Sequence, residues 1–210
     1  MSAPTQETVE AALKDYVEPH LGRDLVSTKS IKSIDIEGDQ VKVKVTLGFP
    51  AKGAADAVAE AVKQTVEGMG GVSAAQVDVD WEIRSHSVQK SLKPIDNIKN
   101  IIAVASGKGG VGKSTTAVNL ALALARAGAR TGLLDADVYG PSQAIMLGVE
   151  PGRKPDVTEV DGKQYFVPVR SHGLQAMSMG FLVDERTPAV WRGPMASGAL
   201  QQMLGQTAWE

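Results

Sequence analysis

Gly107-Lys108-Gly109-Gly110-Val111-Gly112-Lys113-Ser114-Thr115 is the stretch that decides the fold. An apolar run, Ile101-Ile102-Ala103-Val104-Ala105, precedes it, and an alanine- and leucine-rich segment, Ala117 to Ala125, follows. The order predicts a strand, a glycine loop and a helix. A bare glycine-rich loop is often only a turn, but Gly107, Gly112, Lys113 and Ser114 stand at the spacing of a phosphate loop in that strand-to-helix setting. Glycines let successive N–H groups turn inward with no Cβ in the way, and such amides form a nest for phosphate oxygens. The following helix aims its positive end at the same place. Gly107, Gly109, Gly110, Val111, Gly112, Lys113, Ser114 and Thr115 are therefore the candidate nucleotide-binding residues. Lys113 is placed on the β- and γ-phosphates, and the Ser114 hydroxyl is the candidate ligand of Mg²⁺.

Beyond the loop, the helix is expected to end at Ala127 with Gly128 just past it. Thr131-Gly132-Leu133-Leu134-Asp135 reads as the next strand. A strand alternating with a helix predicts a parallel sheet with a right-handed crossover. Asp135-Ala136-Asp137 then falls at the carboxyl end of the strand, where ligands sit in open α/β sheets. Asp135 is a candidate for the water shell of Mg²⁺ and Asp137 for orienting an attacking water. The competing reading makes one of them a helix or turn cap in Asp137-Val138-Tyr139-Gly140-Pro141-Ser142. Gln143 to Leu147 reads as a short helix and Pro151 to Asp161 as a loop. Tyr165 to Val169 and Leu174 to Met179 read as strands flanking a turn at Ser171-His172-Gly173. Trp191-Arg192-Gly193-Pro194-Met195 is a sharp break before a helix from Ala196 to Gln206. Trp191 suits a core anchor, and Arg192 either binds phosphate or caps the fold.

Upstream lies a different pattern. Thr5 to Val17 is a helix with Thr5 or Thr8 as its cap and Pro19 after its end. Ile34 and Ile36 alternate with charged residues, Gly38-Asp39 turns, and Val41, Val43, Val45 and Leu47 alternate with Lys42, Lys44 and Thr46: a hairpin of half-buried strands. Ala54 to Glu67 carries an apolar stripe of helical period, and Val77, Val79, Trp81 and Ile83 mark a third strand. Residues 1–84 are thus an αββαβ domain with helices on one face of its sheet. Residues 85–99 lose periodicity and read as a linker, and residues 100–210 hold the phosphate loop.

The 210 residues suffice for one large or two small domains, and 43% apolar with 22% charged side chains is ordinary for a packed globular chain. Aromatic residues are only 4%, so the cores are expected to be aliphatic. A net charge of −2 argues against a nucleic-acid grip. There is no cysteine, which excludes a disulfide framework and any thiolate-held metal or cluster within these residues. His20, His86 and His172 are scattered and read as solvated. No secretory h-region or membrane-length apolar run is visible, so a cytoplasmic protein with no membrane partner is expected.

Lys108 adds a charge that an ordinary phosphate loop does not need. It resembles the signature lysine of the deviant phosphate-loop ATPases, the MinD, ParA and nitrogenase-iron-protein class. Together with Leu134 to Ser142 and Trp191 to Met195, the loop resembles the Mrp/ApbC iron–sulfur cluster carrier ATPases. The N-terminal domain, with Gly22-Arg23-Asp24-Leu25-Val26 and Trp81, is similar to the small domain that precedes the ATPase in bacterial members. The resemblance covers essentially the whole chain. It implies an α/β fold in which the small αββαβ domain leads into an incomplete parallel-sheet phosphate-loop NTPase domain. It also implies ATP with Mg²⁺ as ligand, ATP hydrolysis with Lys108 reaching the nucleotide of a facing subunit and Asp137 as the second catalytic residue, and a homodimer. Apo iron–sulfur proteins and cluster scaffold proteins are the implied partners. Two departures stand out: Glu18-Pro19-His20 replaces the usual Asp-Pro-Glu turn, and the family's later aspartate and Cys-x-x-Cys pair are not in the chain. The sequence therefore reads as an N-terminal fragment, with a cluster expected only on the full-length protein. The rival readings are a ParA/MinD-like switch for partitioning or positioning and a small-molecule kinase.

Overall fold

In the computed structural model, which describes residues 3–86, 95, 97–183 and 193–210, the chain divides into two compact units, residues 1–84 and 85–210. Most of the linker expected between them, 87–94 and 96, lies outside the described residues, as do 184–192 with Trp191 and Arg192.

The first unit follows its alternation closely. Helix α1 (Gln6–Asp15) starts at Thr5, whose hydroxyl accepts the Thr8 N–H at 3.3 Å while the Thr8 hydroxyl accepts the Thr5 N–H at 3.0 Å. The two exchange bonds reciprocally, as a capping box does, and satisfy donors the helix itself leaves open. Two short antiparallel strands that the sequence did not announce, β1 (Val17–Glu18) and β2 (Arg23–Asp24), follow. Between them Glu18 is fully buried and accepts the Leu21 N–H at 2.6 Å, and its other oxygen lies 2.7 Å from Nδ1 of His20. His20 is thus a partnered side chain with its ring beside Phe49, not merely a solvated one. Strands β3 (Ile31–Glu37) and β4 (Gln40–Leu47) pair antiparallel, and Gly38 alone in their two-residue turn has positive φ, at 65°. Along β4 the residues Val41, Val43, Val45 and Leu47 are buried while Lys42 and Lys44 face solvent. Helix α2 (Ala55–Glu67) carries the chain across to β5 (Ala74–Trp81), which lies parallel to β4 and ends at Trp81 rather than Ile83. Val58, Val62 and Val66 of α2 and Val9 and Leu13 of α1 close over the buried face. Fully burying a side chain of this size contributes about 1.5–3 kcal/mol.

The second unit departs from expectation at its start. Ile101 to Ala105 forms no strand among the described residues, and Ile101 and Ile102 are both 63% exposed. Apolar composition makes a segment fit to be buried, but a strand exists only where a neighbour completes its ladder, and here none does. Helix α3 (Lys113–Arg126) is as expected. Gly128, at φ 101°, donates to the Ala125 carbonyl, and Ala129 reaches back to that of Leu124; these two bonds define a Schellman end. Strand β6 (Gly132–Leu134) and helix α4 (Gln143–Met146) come next. The expected loop at Pro151 to Asp161 contains β7 (Asp156–Val160), paired with β8 (Lys163–Val167) through Asp161-Gly162, both of positive φ. Pro168 divides the expected strand at Tyr165 to Val169, since proline has no N–H for a ladder. Strand β9 (Val169–Ser171) then turns at His172-Gly173 into β10 (Leu174–Met177). The sheet is mixed in the order β6-β10-β9, with β6 parallel to β10 and β9 antiparallel to it. Val118 and Ala121 of α3 pack with Leu133, Leu147, Leu174, Ala176 and Phe181.

Helix α5 (Gly193–Gly205) begins three residues before the expected Ala196, because Pro194 is well suited to a first turn. After it the chain lies along β8: the Phe166 N–H donates to the Gln206 carbonyl, and the Ala208 N–H donates to the Phe166 carbonyl. Trp209 is buried among Val138, Met177, Met179 and Met203. Its ring lies so near Gly132 that a Cβ there would sit 2.8 Å from two ring carbons.

Candidate nucleotide site

The loop from Gly107 to Gly112 is exposed, and nothing lies within 4 Å of where a Cβ would stand at Gly107, Gly109, Gly110 or Gly112. Packing therefore does not call for glycine here. Backbone conformation does, at two positions: Gly110 and Gly112 have φ of 72° and 84°, a region L side chains disfavour. Gly112 is the N-cap of α3 and provides no side-chain cap, and the first helical turn holds no acidic residue. The Lys108 N–H donates to the Ser106 hydroxyl at 3.2 Å, whereas the amides of Gly109 to Thr115 find no acceptor among the described residues. A helix N-terminus with free amides, open space before it and no competing carboxylate fits phosphate oxygens.

Asp135 follows β6, and its N–H extends the parallel ladder to the Met177 carbonyl at 2.9 Å. The residue is 5% exposed. Oδ1 accepts the Asp137 N–H at 3.1 Å, and Oδ2 accepts the N–H groups of Ser142 and Gln143, each at 3.0 Å, and the Ser178 hydroxyl at 3.2 Å. Asp135 thereby caps the start of α4 from outside the helix. Asp137 is exposed, and its Oδ1 accepts the Gly140 N–H at 3.0 Å, closing the turn from 137 to 140. Both carboxylates thus hold local backbone, where the competing reading of the sequence gave that part to one of them.

The phosphate loop and this turn meet through a residue that sequence reasoning did not single out. The Gln143 side-chain Nε2 donates to the Ser114 carbonyl at 3.2 Å, so that the first turn of α3, the start of α4 and Asp135 share one residue. The available signal was a polar side chain at the opening of a short helix otherwise made of Ala, Ile, Met and Leu. No hydrogen bond or ion pair joins Lys108 or Lys113 to Asp135 or Asp137 among the described residues. Gly193, Pro194 and Met195 open α5. No group of three His, Asp or Glu side chains is placed to hold a metal ion among the described residues, and the chain has no cysteine. No helix there is long and apolar enough to cross a membrane.

Residues 97–210 match the family described as ParA, NUBPL iron-transfer P-loop NTPase, and residues 6–79 match the iron–sulfur cluster assembly protein family. Among similar proteins, an iron–sulfur cluster carrier protein of Haemophilus influenzae is 39% identical over 210 residues, covering all of this chain and 56% of its own length. One from Pseudomonas fragi is 54% identical over 148 residues, 70% of this chain and 50% of the relative. One from Escherichia coli K12 is 42% identical over 206 residues, 96% of this chain and 53% of the relative. The chain spans about half the length of the curated relatives it matches. A solved nucleotide-binding protein from Archaeoglobus fulgidus, in complex with ADP, is 37% identical with a TM-score of 0.39, covering 50% of this chain and 38% of that one.

Proposed function

The chain belongs to the NUBPL iron-transfer P-loop NTPases, and on that premise we propose that it binds and hydrolyses ATP with Mg²⁺ as part of a carrier that takes up iron–sulfur clusters and passes them to apoproteins. The observation that carries the nucleotide half is the row of free amides from Gly109 to Thr115 at the start of a helix with no acid in its first turn. Those amides hold the phosphates, Lys113 sits on the β- and γ-phosphates, and the Ser114 hydroxyl is the chain's ligand to the cation. Mg²⁺ supplies neutralisation of the phosphate charge. Asp135, with Oδ2 taken by two amides and a hydroxyl and Oδ1 by one amide, acts through Oδ1 on the cation's water shell rather than as a direct ligand. Exposed Asp137 keeps its Oδ2 for a water. Lys108 is proposed to act across a homodimer on the partner's nucleotide, where a cation stabilises charge developing in the transition state.

The cluster is cargo, and these 210 residues do not fit it: soft thiolates hold such clusters, and the chain has none. The match of residues 6–79 to an iron–sulfur cluster assembly family supports the carrier over a ParA/MinD-like switch, which shares the loop alone. Apo iron–sulfur proteins and cluster scaffolds are the proposed partners, and the cytoplasm the proposed location. The test is isothermal titration of ATP–Mg²⁺ into the wild type and Lys113→Ala. A charge-assisted contact contributes about 1.5–3 kcal/mol, so the variant should bind roughly 10- to 150-fold more weakly. Equal affinities would overturn the reading.

A further inference from the structure

Gln143 is 4% exposed, and its side-chain amide is half used. Nε2 donates to the Ser114 carbonyl at 3.2 Å, while Oε1 is buried with no hydrogen-bond partner among the described residues. The assignment of nitrogen and oxygen is fixed by chemistry, since only the NH₂ can face a carbonyl. Ser114 lies inside α3, so its carbonyl already accepts an intrahelical N–H and does not need Gln143 for satisfaction. A methionine would fill the same place without stranding an oxygen, and buried polar atoms are normally paired. The neighbouring Ser142 hydroxyl is a second buried side-chain oxygen without a partner. Two orphaned oxygens on consecutive residues, beside the turn that carries the candidate cation ligand, point to a donor that the described residues do not supply.

We propose that Gln143 is a positioning residue for the cation of the bound nucleotide: Nε2 holds the first turn of α3, and Oε1 accepts a hydrogen bond from a cation-bound water. The inference rests on the nucleotide reading given above and names a residue that reading does not use. Because the Gln143 and Ser142 N–H groups are both held by Asp135, occupancy of the cation site would also be felt at the start of α4. Mg²⁺ then strengthens nucleotide binding partly through Gln143.

The experiment is calorimetric titration of ATP, in Mg²⁺ and in EDTA, into the wild type and Gln143→Met, with the thermal midpoint of each nucleotide-free protein. Gln143→Met should match the wild type in EDTA to within about twofold and bind about tenfold more weakly in Mg²⁺, the low end expected for one hydrogen bond to a charged centre. Its midpoint should be unchanged, because no satisfied group is stranded. An equal loss with and without Mg²⁺ would reduce Gln143 to a structural tie and overturn the proposal. A wild type that binds no nucleotide would sink the proposed function and this inference together. A wild type with Mg²⁺-dependent binding that Gln143→Met leaves intact would sink this inference alone.

Discussion

Replacing Asp135 by alanine withdraws the acceptor from three backbone N–H groups and one hydroxyl at a position only 5% exposed. A hydrogen bond to a charged group contributes about 1.5–3 kcal/mol. The four bonds share a single carboxylate, so they do not add in full. The amides at the start of α4 can also recover part of the loss from water that enters the vacated space. Removing one side of a buried charged network costs about 3–5 kcal/mol, and the lower end applies here for those two reasons. With a urea slope of about 2 kcal/mol/M, a loss of about 3 kcal/mol moves the midpoint of the second unit down by about 1.5 M. Trp209, buried in the core that contains Met177, reports that unit by fluorescence, and a Trp81→Phe background removes the signal from the first unit. The titration is run in EDTA without nucleotide, so that any cation role is silent. A midpoint within about 0.2 M of the parent would refute the assignment of Asp135 as the clamp of this turn and leave its carboxylate to ligand chemistry alone.

Gly132→Ala puts a Cβ 2.8 Å from the Trp209 ring and should cost about 1–3 kcal/mol, seen as a thermal midpoint lower by several degrees. Adding Trp209→Leu to it should recover part of the loss, a coupling measured by a double-mutant cycle. The Ser27 hydroxyl and N–H hold the Asp24 carboxyl below the usual aspartate range. A lowered value means that ionised Asp24 favours the folded state, a contribution present above the unfolded value of about 3.9 and lost as pH falls through the lower folded value. An NMR titration should find Asp24 protonating after the ordinary aspartates, and Ser27→Ala should move it back toward them.

The first unit was legible because its information is local. Strands β3, β4 and β5 alternate along most of their length, whereas β1 and β2, two residues each, are too short to show a period; the Thr5 and Thr8 pair marks where a helix starts. The β7–β8 hairpin was missed although its turn was in view: Asp161-Gly162 is a dipeptide that favours left-handed backbone, and both residues adopt it. The weakly amphipathic strand, with Val157 and Val160 exposed, hid it. Ile101 to Ala105 failed in the opposite way, since an apolar run states a preference for burial and says nothing about which strand lies beside it. At the site, the loop glycines and Asp135 were placed correctly at the end of a helix and of a strand. The contacts of Asp135 were not readable, because they depend on residues 136–141 folding back to deliver the amides of Ser142 and Gln143. Gln143 itself drew no notice because a lone glutamine in a short helix has no pattern; its place beside Ser114 is a product of tertiary packing.

The seating of Trp209 on Gly132 has a consequence for how the second unit comes into being on a ribosome. Strand β6 is made early, yet its ladder partner β10 begins at Leu174 and the ring that covers Gly132 arrives with residue 209. Helix α3 has only local bonds to make and can form as it emerges, whereas β6 must wait some forty residues for β10 and longer for its cover. At synthesis rates of about 5–20 residues per second, that wait is several seconds. Such non-local pairing places this half of the chain among slow folders, exposed to chaperones and to its own neighbours until Trp209 has docked.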